Sequence, residues 1–196
     1  MKKGILVVGA SIGGLRALQT LLGGLGGQFP VPIAIVQHRG KSNHDRLAQI
    51  LQQHTLLTVK DAEDKERLYP STVYLAPADY HLLIERGSCA LSLEAPVSYA
   101  RPSVDILFDS AADAYGPGVI AVVLTGSNTD GAQGARSVKE AGGIVVVQDA
   151  CECENSAMPL AAMAATVVDG VFKLAEMAPY LINWCQVFQE GADGTR

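Results

Sequence analysis

The chain has 196 residues, of which 48% are hydrophobic and 18% charged, and its formal net charge is −5. That size suits one domain, here expected to span residues 1–196, and the composition excludes a disordered chain. The mild negative charge with no basic run argues against nucleic-acid binding, and no stretch approaches the ~18 apolar residues of a membrane span, so a cytoplasmic protein is expected.

The first apolar run, residues 5–8, is too short for a signal peptide and meets Gly9 and Ser11 at once; it reads as a buried strand. A helix near 15–22 follows, then a glycine-rich loop at 23–27. A second buried strand at 32–36 ends on Gln37 and His38. Ser42 or Asn43 is placed to cap a helix carrying Leu47, Ile50 and Leu51. Residues 72–76 read as a strand, and 81–84 with 89–93 as a hairpin around Arg86-Gly87-Ser88. Ser103 is positioned to cap a helix running to Tyr115. Residues 119–124 form the most apolar strand, followed by a helix near 132–141, a strand at 144–147, a helix near 159–165 and a closing amphipathic helix at 174–187.

Continuous apolar strands alternating with helices imply a doubly wound α/β fold. Its sheet is mostly parallel with helices on both faces, and the antiparallel β-hairpin is an appendage. Ligands in such folds bind beyond the carboxyl ends of the strands, which is where Ser11, His38, Thr125-Gly126 and Asp149 fall.

Gly9-Ala10-Ser11-Ile12-Gly13 is a Gly-x-Ser-x-Gly turn between a strand and a helix. It projects a serine hydroxyl over a helix N-terminus, whose free N–H groups suit a developing oxyanion; the Ile12 N–H is the natural first donor. The same turn equally fits a phosphate cradle. Among the four histidines, His38 alone directly follows a buried strand at the expected rim. His44 and His54 belong to a polar helix, and His81 sits where it is able to line the cleft. Asp130 lies near a helix start, where its ordinary role is an N-cap, and Asp149 is the rival acid. The cysteines, Cys89, Cys151, Cys153 and Cys185, lack the paired spacing of a metal site and read as reduced thiols.

Seven segments together resemble the catalytic domain of the bacterial chemotaxis protein-glutamate methylesterases. They are Gly9-Ala10-Ser11-Ile12-Gly13-Gly14, Val36-Gln37-His38, Ala76-Pro77-Ala78-Asp79-Tyr80-His81-Leu82, Arg101-Pro102-Ser103-Val104-Asp105-Ile106-Leu107-Phe108, Leu124-Thr125-Gly126 with Asp130-Gly131-Ala132, Gln148-Asp149, and Met158-Pro159-Leu160-Ala161-Ala162. The resemblance implies a Ser-His-Asp triad of Ser11, His38 and Asp130, in a chain order different from that of α/β-hydrolases. It implies hydrolysis of glutamate methyl esters on the cytoplasmic helices of chemoreceptors, with deamidation of receptor glutamines as a second activity and no metal or organic cofactor.

The chain departs from the family pattern at three places. Ser127-Asn128 replace Met-Gly in a loop implicated in the oxyanion hole, which makes both residues candidate oxyanion or substrate contacts. Arg39-Gly40 follow His38 where a proline is usual, and Cys151-Glu152-Cys153-Glu154 replace small and hydroxyl residues. The family usually carries a receiver domain ahead of the esterase. This chain starts at its first strand after Lys2-Lys3, so a stand-alone esterase with a separate receiver or other regulatory protein is the expectation. Two other readings compete. One is a receptor-binding member of the same fold with a weakened site. The other is a dinucleotide-binding domain, against which stand Ser11 at the second fingerprint glycine and Gln37-His38 where an acidic residue belongs.

Overall fold

The apolar runs become strands buried on both faces. A computed structural model describes residues 4–40 and 46–193, with side chains through residue 188. Lys2, Lys3, Ser42, Asn43 and His44 lie outside the described residues. Strand β1 (Ile5–Ala10) is fully buried and leads into helix α1 (Gly14–Gly24). Strand β2 (Ile33–Gln37), helix α2 (Leu47–Gln52), β3 (Thr58–Asp61) and β4 (Thr72–Leu75) follow. The hairpin is β5 (His81–Glu85) with β6 (Ser88–Ser92). Then come α3 (Val104–Tyr115), β7 (Val119–Val123), α4 (Ala132–Glu140), β8 (Ile144–Gln148), α5 (Ala157–Ala165), β9 (Gly170–Phe172) and α6 (Leu174–Asp193).

Seven strands form one parallel sheet in the order β3-β4-β2-β1-β7-β8-β9, and the hairpin stands apart as an antiparallel pair. Alternating side chains of each strand serve two cores. Leu6, Val8 and Val122 pack against Leu18 and Leu22 of α1 and Met177 and Leu181 of α6. Ile5, Val7 and Val123 pack against Leu107 and Phe108 of α3, Val138 of α4 and Met158 of α5. Among the described residues, no helix is long and apolar enough to cross a membrane.

From β1 the chain winds outward through α1 to β2; from β7 it winds the opposite way through α4 to β8. The reversal leaves a crevice beyond the carboxyl ends of β1 and β7, the position where doubly wound sheets bind ligands. Ser11 follows one of these strands and residues 124–131 follow the other. Helix α3 reaches this crevice because Gly9 has no side chain: a Cβ there would stand 2.3 Å from Val104 Cγ1. Gly9→Ala is therefore expected to push α3 off the sheet and to destabilise the protein by about 1–3 kcal/mol, read as a lower urea midpoint.

Candidate active site

Ser11 sits on a turn pinned from several sides. Its N–H donates to Thr125 O at 2.9 Å, which ties it to the end of β7. Its carbonyl accepts the Gly14 N–H at 2.9 Å and the Gln37 side-chain amide at 2.8 Å. The same Gln37 nitrogen donates to His38 O at 3.0 Å, so one side chain ties the Ser11 turn to the end of β2. Gly13, at φ 78°, makes the left-handed step that starts α1. No acceptor among the described residues takes the Ile12 N–H, and the Ile12 side chain is exposed. Gly126 closes over the turn: a Cβ on it would lie 2.8 Å from Ser11 Cβ and 2.0 Å from Met158 Sδ.

His38 is half-buried beside this turn, and its Nε2 lies 2.7 Å from Asp130 Oδ2. Asp130 is buried and takes three further donors: Ser103 Oγ at 2.8 Å, the Val104 N–H at 2.7 Å and the Asp105 N–H at 3.0 Å. Burial alone would push its carboxyl up. The hydrogen bonds from His38, Asp105, Val104 and Ser103 outweigh that and hold it below the ordinary carboxylate value. An ionised Asp130 accepts from Nε2–H and leaves Nδ1 of the neutral ring as the basic nitrogen.

Ser11, His38 and Asn128 line one cleft of about 640 Å³, together with Arg39, Tyr99 and Arg101. Arg101 braces the far wall by donating to Asp79 Oδ1 at 2.7 and 2.9 Å and to the carbonyls of Leu93 and Glu94. The Ser11 hydroxyl makes no hydrogen bond to His38 among the described residues. Instead the Asn128 side-chain nitrogen stands 3.3 Å from His38 Nδ1. Ser127 is exposed, and its side chain holds none of these groups. No cluster of three or more His, Cys, Asp or Glu among the described residues is arranged to hold a metal ion.

The model of the family described as CheB methylesterase matches residues 6–181. The chain is 43% identical to an inferred protein-glutamate methylesterase/protein-glutamine glutaminase of Leptospira interrogans, over 91% of this chain and 93% of that protein. It is 41% identical to protein-glutamate methylesterase/protein-glutamine glutaminase 4 of Myxococcus xanthus, over 93% of this chain but only 52% of that longer protein. The crystal structure of the Thermotoga maritima CheB methylesterase catalytic domain superimposes with a TM-score of 0.89 at 36% identity, covering 94% of this chain and all of that one. The chain belongs to the CheB methylesterase family. The dinucleotide-binding reading gives way to this match.

Within this CheB methylesterase fold, the candidate acids and histidines each have defined partners. Asp130 does not cap its own helix; Gly131 occupies that position, and the Asp130 carboxylate caps the first turn of α3 across the crevice. Asp105 of α3 returns the favour, accepting the N–H groups of Gly131 at 2.9 Å and Gly134 at 2.8 Å at the start of α4. The rival acid Asp149 accepts from Cys151 N–H and is not bonded to His38. His81 does not line the cleft: it is buried, donating from Nε2 to Ala95 O at 3.1 Å and accepting the Ser103 N–H on Nδ1 at 3.2 Å. His54 stays on the surface, its Nδ1 3.0 Å from Ile50 O.

Ser103, Asp105 and Gln37 are the residues whose roles local reading missed. Ser103 does cap α3, its Oγ accepting the Ile106 N–H at 3.5 Å, but the same hydroxyl also reaches Asp130. Asp105 gave no signal in sequence beyond its place in a family motif. Burial, chiefly, pushes its carboxyl from the usual 3.8 up to about 6, with Asp130 nearby adding to the rise. A raised folded pKa means that the native state holds this proton more tightly than the unfolded chain. That contribution is fully present below about 4 and is lost as pH rises through about 6. Asp105→Asn keeps an oxygen for Gly131 and Gly134 and removes the titration. The variant is expected to gain on the wild type by about 1–3 kcal/mol between pH 4 and pH 7, measured by urea unfolding at both values; parallel curves would contradict it.

Proposed function

We propose that the protein is a protein-glutamate methylesterase acting on methylated chemoreceptor helices, with protein-glutamine deamidation as a second activity of the same site. The observation that carries the reading is the 2.7 Å contact of His38 Nε2 with the buried Asp130, in a cleft shared with Ser11. The names of the relatives supply the substrate class.

In this mechanism Ser11 Oγ attacks the ester carbonyl while its proton passes to His38 Nδ1. The carbonyl oxygen becomes an oxyanion that the Ile12 N–H is free to meet, at the N-terminal end of α1 where the helix dipole favours negative charge. Collapse of the tetrahedral intermediate breaks the bond to the methoxy oxygen, which leaves as methanol with the proton from His38. Water then attacks the Ser11 ester, giving its proton to His38, and breakage of the acyl–Oγ bond releases the glutamate and restores the serine. With a glutamine substrate the leaving group is ammonia. Asp130 stays ionised and holds the imidazole in the required tautomer.

Ser11→Ala is expected to abolish methanol release from methylated receptor membranes without unfolding the protein. His38→Ala and Asp130→Asn are each expected to lower turnover on the order of a thousandfold. Undiminished methanol release from Ser11→Ala would overturn the reading. Receptor binding with no methanol release from the wild type would instead favour a weakened binding member of the family.

A further inference from the structure

The geometry points to Asn128 as a latch on the base: in the resting protein its side-chain amide occupies the lone pair of His38 Nδ1 that Ser11 needs. The inference rests on the assignment of Ser11 as nucleophile and His38 as base.

Two independent constraints orient the pair. The Asp130 N–H can only donate, and it faces Asn128 Oδ1 at 3.2 Å, so the amide must turn its NH2 toward His38. At the far side of the ring, Asp130 Oδ2 takes the proton of Nε2. Nδ1 is then unprotonated, and N–H···Nδ1 is the one pairing consistent with both ends. The lone pair that must receive the Ser11 proton is already engaged.

The loop itself is anchored, which makes the latch a side-chain matter. Thr125 N–H donates to Gln148 Oε1 at 2.9 Å, Gly126 N–H donates to Asn155 O at 2.9 Å, and Asp130 is held by its four donors. Asn128 is half-buried between these fixed points and lines the cleft, so a substrate group entering beside Ser11 meets its amide. Rotation of Asn128 away from Nδ1 frees the base without moving the backbone. Asn128 is thus a positioning residue that restrains the base until the cleft is filled.

The test uses p-nitrophenyl acetate, a small ester that needs no receptor docking, together with ¹⁵N NMR of the His38 ring. Asn128→Ala is expected to raise kcat/KM for this ester about three- to tenfold, the worth of one neutral hydrogen bond that no longer has to break. The Nδ1 resonance is expected to move toward that of a free, unprotonated ring nitrogen, while Nε2 keeps its proton on Asp130. Asn128→Gly serves as a second variant with the same expectation. Asn128→Asp preserves the acceptor for Asp130 N–H but sets a carboxylate against Nδ1, which favours a proton on the base, and hydrolysis is expected to fall at least tenfold. Unchanged or slower hydrolysis in both Asn128→Ala and Asn128→Gly, or an unmoved Nδ1 resonance, would overturn the latch. If His38→Ala abolishes hydrolysis in the same series, such a result removes the latch alone; undiminished hydrolysis by His38→Ala removes the assignment of the base and the latch with it.

Discussion

A carboxylate buried beneath the cleft organises this end of the molecule. Asp130 has no solvent to stabilise its charge, and an unpaired buried ion would be forced to take up a proton. Four donors from inside the protein prevent that, and two of them are backbone N–H groups in the first turn of α3. Satisfying Asp130 therefore fixes where α3 begins, where the loop after β7 ends and which way the His38 ring faces. Asp105 closes the arrangement from the other side by capping α4, so two helix N-termini are exchanged between two acids.

The two acids share surroundings and differ in how tightly each holds a proton. Asp130 collects side-chain donors as well as backbone ones, including the imidazole, and stays ionised. Among the described residues, Asp105 takes two backbone N–H groups and no side-chain donor, and burial raises its carboxyl to about 6. A pair of neighbouring carboxyls pushed apart in this way takes up a proton on Asp105 first, so below about pH 6 the negative charge stays on the one that faces His38. The support extends outward: Ser103 touches Asp130 through its hydroxyl and His81 through its N–H, and His81 reaches Ala95 beside the cleft wall.

Much of this was legible in the chain. Fully buried parallel strands read as unbroken apolar runs, so β1, β2, β7 and β8 were visible, and their ends placed Ser11 and His38 at one rim. Strands β3 and β9 were not, because one is a partly exposed, polar edge strand and the other has three residues, neither making an apolar run. The deeper omission was relational. A lone aspartate before a helix reads as that helix's cap, and nothing local says that it caps a different helix more than twenty residues earlier. Gln37 read as the polar end of a strand, whereas its amide bridges Ser11 and His38. The departure at Asn128 was visible as a change of residue, but its partner on His38 emerged only from the fold.

The proposed mechanism requires Ser11 to be a nucleophile made reactive by His38. Labelling with a small fluorophosphonate, followed by peptide mass spectrometry, reads that reactivity residue by residue. One stoichiometric adduct on Ser11 is expected, lost or slowed on the order of a thousandfold in His38→Ala. An adduct on another residue, or labelling of Ser11 at an equal rate without His38, would contradict it.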